Sequence, residues 1–477
     1  MTEDNAALEG STTRAPTVGS RRAVWVLALA CAAQFMVVLD VSVVNVALPS
    51  IRSSLGFTPA DLSWVVNAYG LAFAGLLLLG GRLADVLGYR RSFVLGPALF
   101  SGASLVGGLA ASPGALVAAR AAQGAGAALL APATLTVLTG TFPEGPSRTR
   151  ALATWTAVGV AGGATGNLIG GALTEYLSWR WILLVNVPVG AMGALAGVRL
   201  LPGKRHGGSR PRPDVAGATL ATAGIAALTF ALARVEARGW SDAPTVGVMT
   251  VGLLTLMVFA WVEARVARTP LVPPHLLRIR SVGVGNLILL LTGACLVPMW
   301  YFLSLYMQQV MHYGPLQTAV GFLPHTLVTM VVSARLAPRL MEHADPRTLI
   351  VTSAVVSAAG FWWQSRISTD SGYIDGILGP ALAISIGTGL LLTPITTAVT
   401  SDVAPADAGA ASGLMNATKQ VGGALGLAGL STLAATDVAG AQALTAGYAR
   451  AFLAIATVLA LTAVIALALP HRPAKTD

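Results

Sequence analysis

Long apolar runs, separated by short polar stretches, dominate the chain. Crossing a bilayer as a helix takes about 20 apolar residues, and each run reaches that length or comes close to it. Six runs precede a basic stretch rich in Gly and Pro at 202–213, two follow it, and six more complete the chain. The pattern predicts fourteen transmembrane helices, near 23–46, 62–84, 92–111, 114–140, 151–175, 181–200, 215–234, 244–263, 283–308, 317–338, 347–364, 376–400, 408–433 and 447–469.

The composition excludes a soluble globular protein and indicates an all-α membrane protein. Apolar residues make up 55% of the chain and charged residues 10%, which is far from the composition of soluble domains. Cys31 and Cys295 both fall inside apolar runs and are interpreted as packing residues, with no disulfide. We find no phosphate-binding glycine loop, metal-ligand cluster or nucleophile–base motif. No cofactor or metal is therefore expected, and a membrane enzyme or a signalling receptor is disfavoured.

The distribution of basic residues predicts the orientation. If the N-terminus is cytoplasmic, 22 of the 30 Lys and Arg residues lie in cytoplasmic segments, six lie outside and two lie within the membrane. Cytoplasmic loops of membrane proteins are enriched in Lys and Arg. The bias predicts an even number of spans, with both termini in the cytoplasm. It also explains the net charge of +10 without a nucleic-acid partner.

The second half of the chain repeats motifs of the first. Leu129-Leu130-Ala131-Pro132 and the glycines at 162–166 return as Leu391-Leu392-Thr393-Pro394 and the glycines at 422–426. The match pairs spans four and five with spans twelve and thirteen, which predicts two similar halves. The predicted divisions are a cytoplasmic tail (1–22), a six-helix half (23–200), basic linkers with two inserted helices (201–282), a second six-helix half (283–469) and a second tail (470–477).

The stretch LGGRLADVLGYRR at 79–91 is predicted to be a short cytoplasmic loop between spans two and three. Its glycines permit close helix approach, and its arginines surround one acid. The stretch resembles the signature loop of the major facilitator superfamily. The resemblance implies a conformational gate, in which Asp85 meets the start of the thirteenth span near Asp407. The gate residues are Gly81, Arg82, Asp85, Gly88, Arg90 and Arg91.

Asp40 is the strongest functional candidate. It lies roughly 22 Å along the first span, where a carboxylate is costly and usually functional. Arg120, in the fourth span, lies at about the same depth, so an ion pair is geometrically possible. The surrounding strings, LDVSVVNVALPSI at 39–51 and ARAAQGAGAALLAP at 119–132, resemble motifs of the fourteen-span drug:proton antiporters. Asp40 and Arg120 are thus candidates for proton coupling, although a structural carboxylate and an arginine that only ties helices together remain alternatives.

The fifth span carries regularly spaced glycines. Every fourth residue from 162 to 170 is glycine, which predicts a smooth helix stripe. The string GVAGGATGNLIGG at 159–171 resembles the fifth-helix motif of the family's exporters, except that Asn167 stands where proline is usual, so the kink is in doubt. Packing alone is the alternative role. The antiporter glycines are Gly159, Gly162, Gly163, Gly166 and Gly170.

Polar and aromatic side chains within the spans are candidates for a substrate cavity. They are Asn45, Gln123, Trp155, Tyr301, Asn416 and Lys419. The aromatic members would more often face lipid or pack, and His325 is a weaker candidate for proton transfer. Lys419 lies near mid-membrane and needs a partner, a water-filled cavity or an anionic ligand. One deep acid against two deep bases favours neutral, zwitterionic or weakly anionic substrates over dications.

The resemblance implies a major facilitator fold of 6 + 2 inserted + 6 helices and proton-coupled export of small, largely apolar drugs across the cell membrane. The partners implied are a small-molecule substrate, protons and the lipid bilayer, and the protein is expected to act as a monomer. An importer of a small metabolite on the same fold is the alternative. Asp40 and the glycine stripe count against it.

Overall fold

The computed structural model describes residues 21–142, 146–201, 214–267, 270, 274–404, 407–435 and 440–471. Long helices fill these ranges, and no described residue lies in a β-strand. In chain order they are α1 (Arg21–Leu55), α2 (Trp64–Leu87), α3 (Tyr89–Gly108), α4 (Pro113–Thr141), α5 (Pro146–Tyr176), α6 (Trp181–Leu200), α7 (Val215–Arg238), α8 (Ala243–Arg265), α9 (Arg280–Gln309), α10 (Pro315–His343), α11 (Pro346–Gln364), α12 (Ile374–Thr400), α13 (Ala408–Ala434) and α14 (Ala441–Ala466).

Each predicted apolar run corresponds to one of these helices. Within the described ranges, eight of them are both long and apolar enough to cross a bilayer, namely α1, α4, α6, α8, α9, α10, α12 and α14. Shorter apolar segments lie inside α2 (Trp64–Leu77) and α7 (Ala216–Leu232). The chain therefore has the helices of a multi-pass membrane protein.

Local sequence signals explain where several helices begin. Ser112 caps α4 by accepting a hydrogen bond from the amide of Ala115 (3.3 Å), and Pro113 follows at the first helical position. Asp242 caps α8 in the same way through the amide of Thr245 (3.0 Å). Side-chain oxygens at this position satisfy amides that the helix leaves free, and proline is tolerated just after them.

The helix ends meet at two faces of the bundle. On the first, which we call the arginine-rich face, Arg22 donates to the carbonyl of Leu200 (3.0 Å) and Arg90 to that of Val198 (2.6 Å). Arg280 likewise donates to the carbonyl of Ala468 (2.7 Å). On the opposite face, Arg180 donates to the carbonyl of Ala110 (2.7 Å). The starts of α1, α3 and α9 thus lie at one face with the ends of α6 and α14.

The same packing order occurs in α1–α6 and in α9–α14. Helix α1 packs on α5 as α9 packs on α13, and α2 packs on α4 as α10 packs on α12. The contacts of α3 with α4 and α6 return as those of α11 with α12 and α14. We call α1–α6 the first group and α9–α14 the second group.

Glycines set the distance between the paired helices α1 and α5. A Cβ placed on Gly162 would lie 3.1 Å from the carbonyl oxygen of Phe35, and one on Gly170 would lie 2.8 Å from the Cα of Val43. The glycine stripe predicted from the sequence therefore faces α1 along its length. In the second group, a Cβ on Gly422 or Gly426 would overlap the carbonyl of Leu290 or Ala294 in α9.

The two groups touch near the opposite face. Ser304 of α9 donates to the carbonyl of Asn45 (2.7 Å), and Gln308 donates to that of Val46 (2.9 Å). A Cβ on Gly171, near the end of α5, would lie 2.7 Å from the Cβ of Ala319 in α10. Helix α7 packs against α2 of the first group and α13 of the second, while α8 packs against α7.

The stretch predicted as a loop at 79–91 is mostly helical, which corrects that prediction. Helix α2 continues to Leu87 and α3 begins at Tyr89, so only Gly88 interrupts them. Arg, Leu, Ala and Asp between Gly81 and Gly88 do not break a helix. Gly88 has a φ of 86°, a backbone conformation that side chains disfavour, so glycine permits the sharp reversal.

The glycine contacts lead to a stability prediction. Gly170→Ala should lower the melting temperature of the detergent-solubilised protein, because the added methyl meets backbone atoms of α1 and overpacking costs about 1–3 kcal/mol. Gly429→Ala in α13 is the matched control, since nothing lies within 4 Å of a Cβ there. The control should be neutral or stabilising by up to about 1 kcal/mol. Equal melting temperatures for the two variants would contradict the close α1–α5 contact.

Candidate functional site

Asp40 lies inside the first group and forms an ion pair with Arg120. Its side chain is fully buried, and its Oδ2 accepts a hydrogen bond from Nη1 of Arg120 at 2.5 Å. Arg120 is also buried. A buried carboxylate needs such a partner, because removing one charge from water without compensation is very costly.

Arg120 is held by α2 and α4 as well as by Asp40. Its Nε donates to the carbonyl of Val65 (3.0 Å), and Nη1 also donates to Oε1 of Gln123 one turn further along α4 (3.0 Å). The guanidinium carbon lies 4.6 Å from the ring centroid of Tyr69. Hydrogen bonding and stacking of the planar guanidinium fix its orientation.

The second oxygen of Asp40 is bound by two amides. Oδ1 accepts from Nε2 of Gln123 (3.0 Å) and from Nδ2 of Asn186 in α6 (2.7 Å). Gln123 also donates to the hydroxyl of Ser104 in α3 (2.7 Å). Both carboxylate oxygens are therefore satisfied by charged or amide donors. This network joins α1, α3, α4 and α6, and α2 contributes the carbonyl of Val65 and the ring of Tyr69.

The chemistry of the network depends on the charge of Asp40. As a carboxylate it accepts from Arg120, Gln123 and Asn186. A proton on Asp40 would remove the ion pair and leave Arg120 as an uncompensated buried cation. Binding a proton here must therefore be accompanied by a rearrangement of Arg120 or by the entry of water.

Asp40 does not face the second group. One strip of α1, at a spacing of about one or two turns, consists of Gln34, Val38, Val41 and Asn45. Asn45 is buried where α9 closes on α1, whereas Val41 is 40% exposed. Because α1 packs against α4, α5, α6 and α9, this strip, which we call the α1 strip, faces the space between the two groups. Asp40 projects from a different side, into the first group.

Helix α13 has a corresponding strip that consists of Asn416, Gln420 and Leu427. Leu427 is fully buried in a cluster that includes Val43 of the first group and Phe302 of the second. About two turns nearer the arginine-rich face Gln420 is half-buried, and about three turns nearer it Asn416 is exposed. The space between the groups is thus closed near the opposite face and opens toward the arginine-rich face. Lys419 is half-buried beside this strip.

The other cavity candidates lie in different surroundings. Gln123 belongs to the Asp40 network, and Tyr301 is only 3% exposed in the cluster between the groups. Trp155 is half-buried against residues of α1 and α4 nearer the arginine-rich face. The structure therefore brings Asp40, Arg120 and Gln123 together, and it keeps Trp155, Tyr301 and Lys419 apart from them.

The antiporter glycines lie along α1. A Cβ on Gly159 would lie 3.2 Å from Nε2 of Gln34, and one on Gly163 would lie 3.6 Å from a methyl of Val38. One on Gly166 would lie 2.8 Å from the Cβ of Ser42. Together with Gly162 and Gly170, they place α5 directly against the helix that carries Asp40. Asn167 does not interrupt α5, which is continuous from Pro146 to Tyr176.

The gate motif is only partly described. The side chains of Gly81, Arg82 and Asp85 lie outside the described residues. Arg90 binds the carbonyl of Val198, and Arg91 is exposed. Asp407, at the start of α13, lies 3.0 Å from Nε2 of His275.

Sequence reasoning missed Asn186, Ser104 and Tyr69. The sequence carried a signal for Asn186, because it is the only strongly polar residue in the apolar run from Trp181 to Val198. An amide in such a run needs a buried partner. Ser104 and Tyr69 gave no comparable signal, since serine and tyrosine are common in membrane helices without any special role.

Comparison with known proteins defines the class to which this geometry belongs. The model of the Major Facilitator Superfamily matches residues 30–427, and the chain belongs to that family. The fold resembles a crystal structure of the peptide transporter POT in complex with sulfate, with a TM-score of 0.68 at 14% identity, covering 93% of this chain and 94% of that one. The protein is therefore an all-helical, multi-pass membrane transporter for small molecules and not an enzyme.

Curated relatives are more similar in sequence. The cephamycin export protein CmcT of Amycolatopsis lactamdurans is 52% identical over 466 residues, which cover 97% of this chain and 96% of that protein. The puromycin resistance protein pur8 of Streptomyces alboniger is 44% identical over 411 residues, covering 86% and 81%. A tetracenomycin C resistance and export protein of Streptomyces glaucescens is 33% identical over 428 residues, covering 89% and 78%.

The Asp40–Arg120 pair leads to a double-mutant prediction. Arg120→Gln alone should destabilise the solubilised protein by about 3–5 kcal/mol, because it leaves a buried carboxylate without its cation. Adding Asp40→Asn to Arg120→Gln should restore part of that loss, as measured by thermal unfolding. The control is Arg180→Gln, which removes bonds to backbone carbonyls on the opposite face. Asp40→Asn should not rescue this control, and equal effects in both backgrounds would exclude the coupling.

Proposed function

We propose that the protein is a proton-coupled antiporter that exports small, largely apolar antibiotics across the bacterial cell membrane. The observation that carries this proposal is the buried Asp40–Arg120 network in a chain that is 52% identical to a cephamycin export protein. Two further relatives are a puromycin resistance protein and a tetracenomycin C resistance and export protein. Each of the three relatives is thus named for the export of an antibiotic or for resistance to one.

The proposed topology has fourteen spans with both termini in the cytoplasm. Fourteen long helices in the described ranges support the count. Eight of these helices are both long enough and apolar enough to cross a bilayer. The basic side chains at the starts of α1, α3 and α9 support a cytoplasmic arginine-rich face. The repeated packing of the two groups supports the division into 23–200, an inserted α7–α8 pair within 201–282, and 283–469, with the tails 1–22 and 470–477 outside the bundle. We propose a monomer.

The proposed transport cycle starts from the arrangement described above. The space between the groups opens at the arginine-rich face, so substrate enters it from the cytoplasm or the inner leaflet. Rocking of the two groups then exposes that space to the outside. Closing contacts such as Ser304 to Asn45 must break in this step.

Asp40 couples this movement to the proton gradient. Its network spans α1, α3, α4 and α6, so a proton on Asp40 weakens contacts that fix these helices relative to one another. Protonation from outside drives substrate release, and deprotonation toward the cytoplasm follows on the return. Each proton that crosses a potential of 100 mV supplies about 2.3 kcal/mol.

The glycine stripe favours export over the alternative of import. Close contact between α1 and α5 through Gly162, Gly166 and Gly170 matches the motif of the family's exporters, and the relatives named above are resistance or export proteins. Uptake of labelled puromycin into inverted vesicles on acidification of their lumen indicates export. Accumulation only in right-side-out vesicles would instead indicate an importer.

Asp40→Asn should abolish proton-driven export while leaving substrate binding measurable. Asparagine keeps the size and several hydrogen bonds of the side chain but cannot exchange a proton. The measurement compares substrate uptake into inverted vesicles with and without a pH gradient, beside equilibrium binding in detergent. Thr174→Val near the far end of α5 serves as a control, which should retain transport. Full gradient-dependent uptake by Asp40→Asn would remove this residue from the mechanism.

We also propose that the gate motif, Gly81 to Arg91, stabilises the outward-open state. Asp85 meets the positive end of the α13 helix dipole in that state, a contact that contributes about 0.3–2 kcal/mol. Asp85→Asn should therefore shift the population toward the state open at the arginine-rich face. Distances between spin labels on the two groups, measured at both faces, would reveal the shift. Asp61→Asn, which alters an acid between α1 and α2, is the control, and unchanged distances in Asp85→Asn would contradict the proposed contact.

A further inference from the structure

Lys419 is an unusual charge in the middle of a membrane helix. It lies in the second quarter of α13, and its side chain is half-buried. Lysine at this depth is expensive and is kept where it has a function or a partner. Within the described residues, no carboxylate lies within ion-pair distance of it.

The acids of the chain are poorly placed to neutralise Lys419. Asp40 is the only acid near the centre of a helix, and the other acids lie in the tails, in connections or near helix ends. Asp40 itself is fully buried in the first group, where Arg120, Gln123 and Asn186 occupy both oxygens. The charge of Asp40 is thus already compensated, whereas no described side chain forms an ion pair with the ammonium of Lys419.

The packing of α13 does not explain a lysine at this position. In the internal repeat, Lys419 corresponds to Gly159, which lies against Gln34 of α1. The helix contact at this register is therefore made by glycine in the first group. In the second group, α9 provides the small residue instead, because a Cβ on Gly293 would overlap the carbonyl of Lys419. At this register the glycine therefore lies on α5 in the first group but on α9 in the second group. The close contact thus does not require a small residue at position 419 of α13.

The register of Lys419 on α13 places it beside the space between the groups. Lys419 is adjacent in sequence to Gln420 and one turn from Asn416, which is exposed on the strip of α13 that faces this space. A lysine stem has four carbons and extends along apolar surface while its charge seeks a polar environment. The open space bordered by Asn416 and Gln420 lies next to the Lys419 position on α13 and offers such an environment.

We propose that Lys419 binds a carboxylate of the exported substrate, so that anionic or zwitterionic carboxylic acids are preferred substrates. This inference rests on the proposed export function and assigns a charge preference to its binding surface. A carboxylate at Lys419 forms a charge-assisted hydrogen bond in a partly desolvated site. The substrate site on α13 is thereby separate from the proton site at Asp40, since the two charged groups lie in different helix groups.

The test compares an acid with its own ester, which differ by one charge, and with a third ligand that is structurally unrelated to both. The first probe is a cephamycin, whose ring system carries a carboxylate, and the second is its ester at that carboxylate. The third is puromycin, which carries amines and no carboxylate. Binding to purified protein in detergent and proton-driven uptake into inverted vesicles are both measured. The variants are Lys419→Gln, which removes the charge, Lys419→Arg, which keeps it, and Thr418→Ala as the neighbouring control.

Lys419→Gln should weaken binding of the carboxylate by about tenfold or more, as expected for the loss of one charge-assisted contact. Its binding of the ester and of puromycin should change less than twofold. Lys419→Arg and Thr418→Ala should bind the carboxylate nearly as well as the wild type. If Lys419→Gln weakens the binding of all three probes equally, the residue has a structural role and the proposal is wrong. The proposal is also wrong if Lys419→Gln does not weaken binding of the carboxylate, or if the wild type binds the ester as tightly as the acid.

Binding and transport separate the two hypotheses. If the wild type binds the carboxylate through Lys419 but shows no gradient-driven uptake of any probe, the proposed antiport fails and the binding assignment stands. If uptake of puromycin depends on Asp40 while Lys419→Gln leaves carboxylate binding unchanged, the antiport stands and this inference fails.

Discussion

The cost of a carboxylate inside an apolar helix bundle constrains much of the first group. Asp40 is tolerated because Arg120 compensates its charge and because Gln123 and Asn186 bind its second oxygen. Each of these donors comes from a different position in the chain, so α4 and α6 must pack closely on α1. The network is complete only when the helices are in one particular arrangement. A proton on Asp40 therefore acts on helix packing as well as on charge.

Close backbone contacts join the paired helices that would move in such a rearrangement. Glycines on α5 bring it against α1, and Gly422 and Gly426 bring α13 against α9. Smooth contacts of this kind allow helices to approach without interlocking side chains. Across the two groups, α13 packs on α2, α10 on α5 and α9 on α1, and a buried cluster closes the space between the groups near the opposite face.

In the proposed mechanism, the arrangement separates the proton site from the substrate site. Asp40 projects into the first group, whereas the α1 strip and the strip of Asn416, Gln420 and Leu427 face the space between the groups. Lys419, beside the second strip, would then meet substrate without meeting the proton site. Coupling between the two sites has to pass through α1, which carries Asp40 on one side and borders the substrate space on the other. A mechanism of this kind needs no direct competition between proton and substrate for one side chain.

The sequence by itself determined the helices and the repeat, and it indicated that Asp40 and Arg120 could meet. Apolar runs must become helices in a membrane because no water is present to satisfy the backbone, and the matching depths of Asp40 and Arg120 followed from the helical rise. It also indicated the glycine stripe, although the helical continuation through Gly81 to Leu87 was missed. Only the tertiary structure decided that Asn186 binds Asp40, that Asp40 faces away from the space between the groups, and that Tyr301 is buried where they meet. Rotation of a helix about its axis and the choice of its neighbours depend on contacts between residues far apart in the chain. The position of a residue along its helix follows from the sequence of that one helix. The partner of a buried charge depends on how several helices pack together.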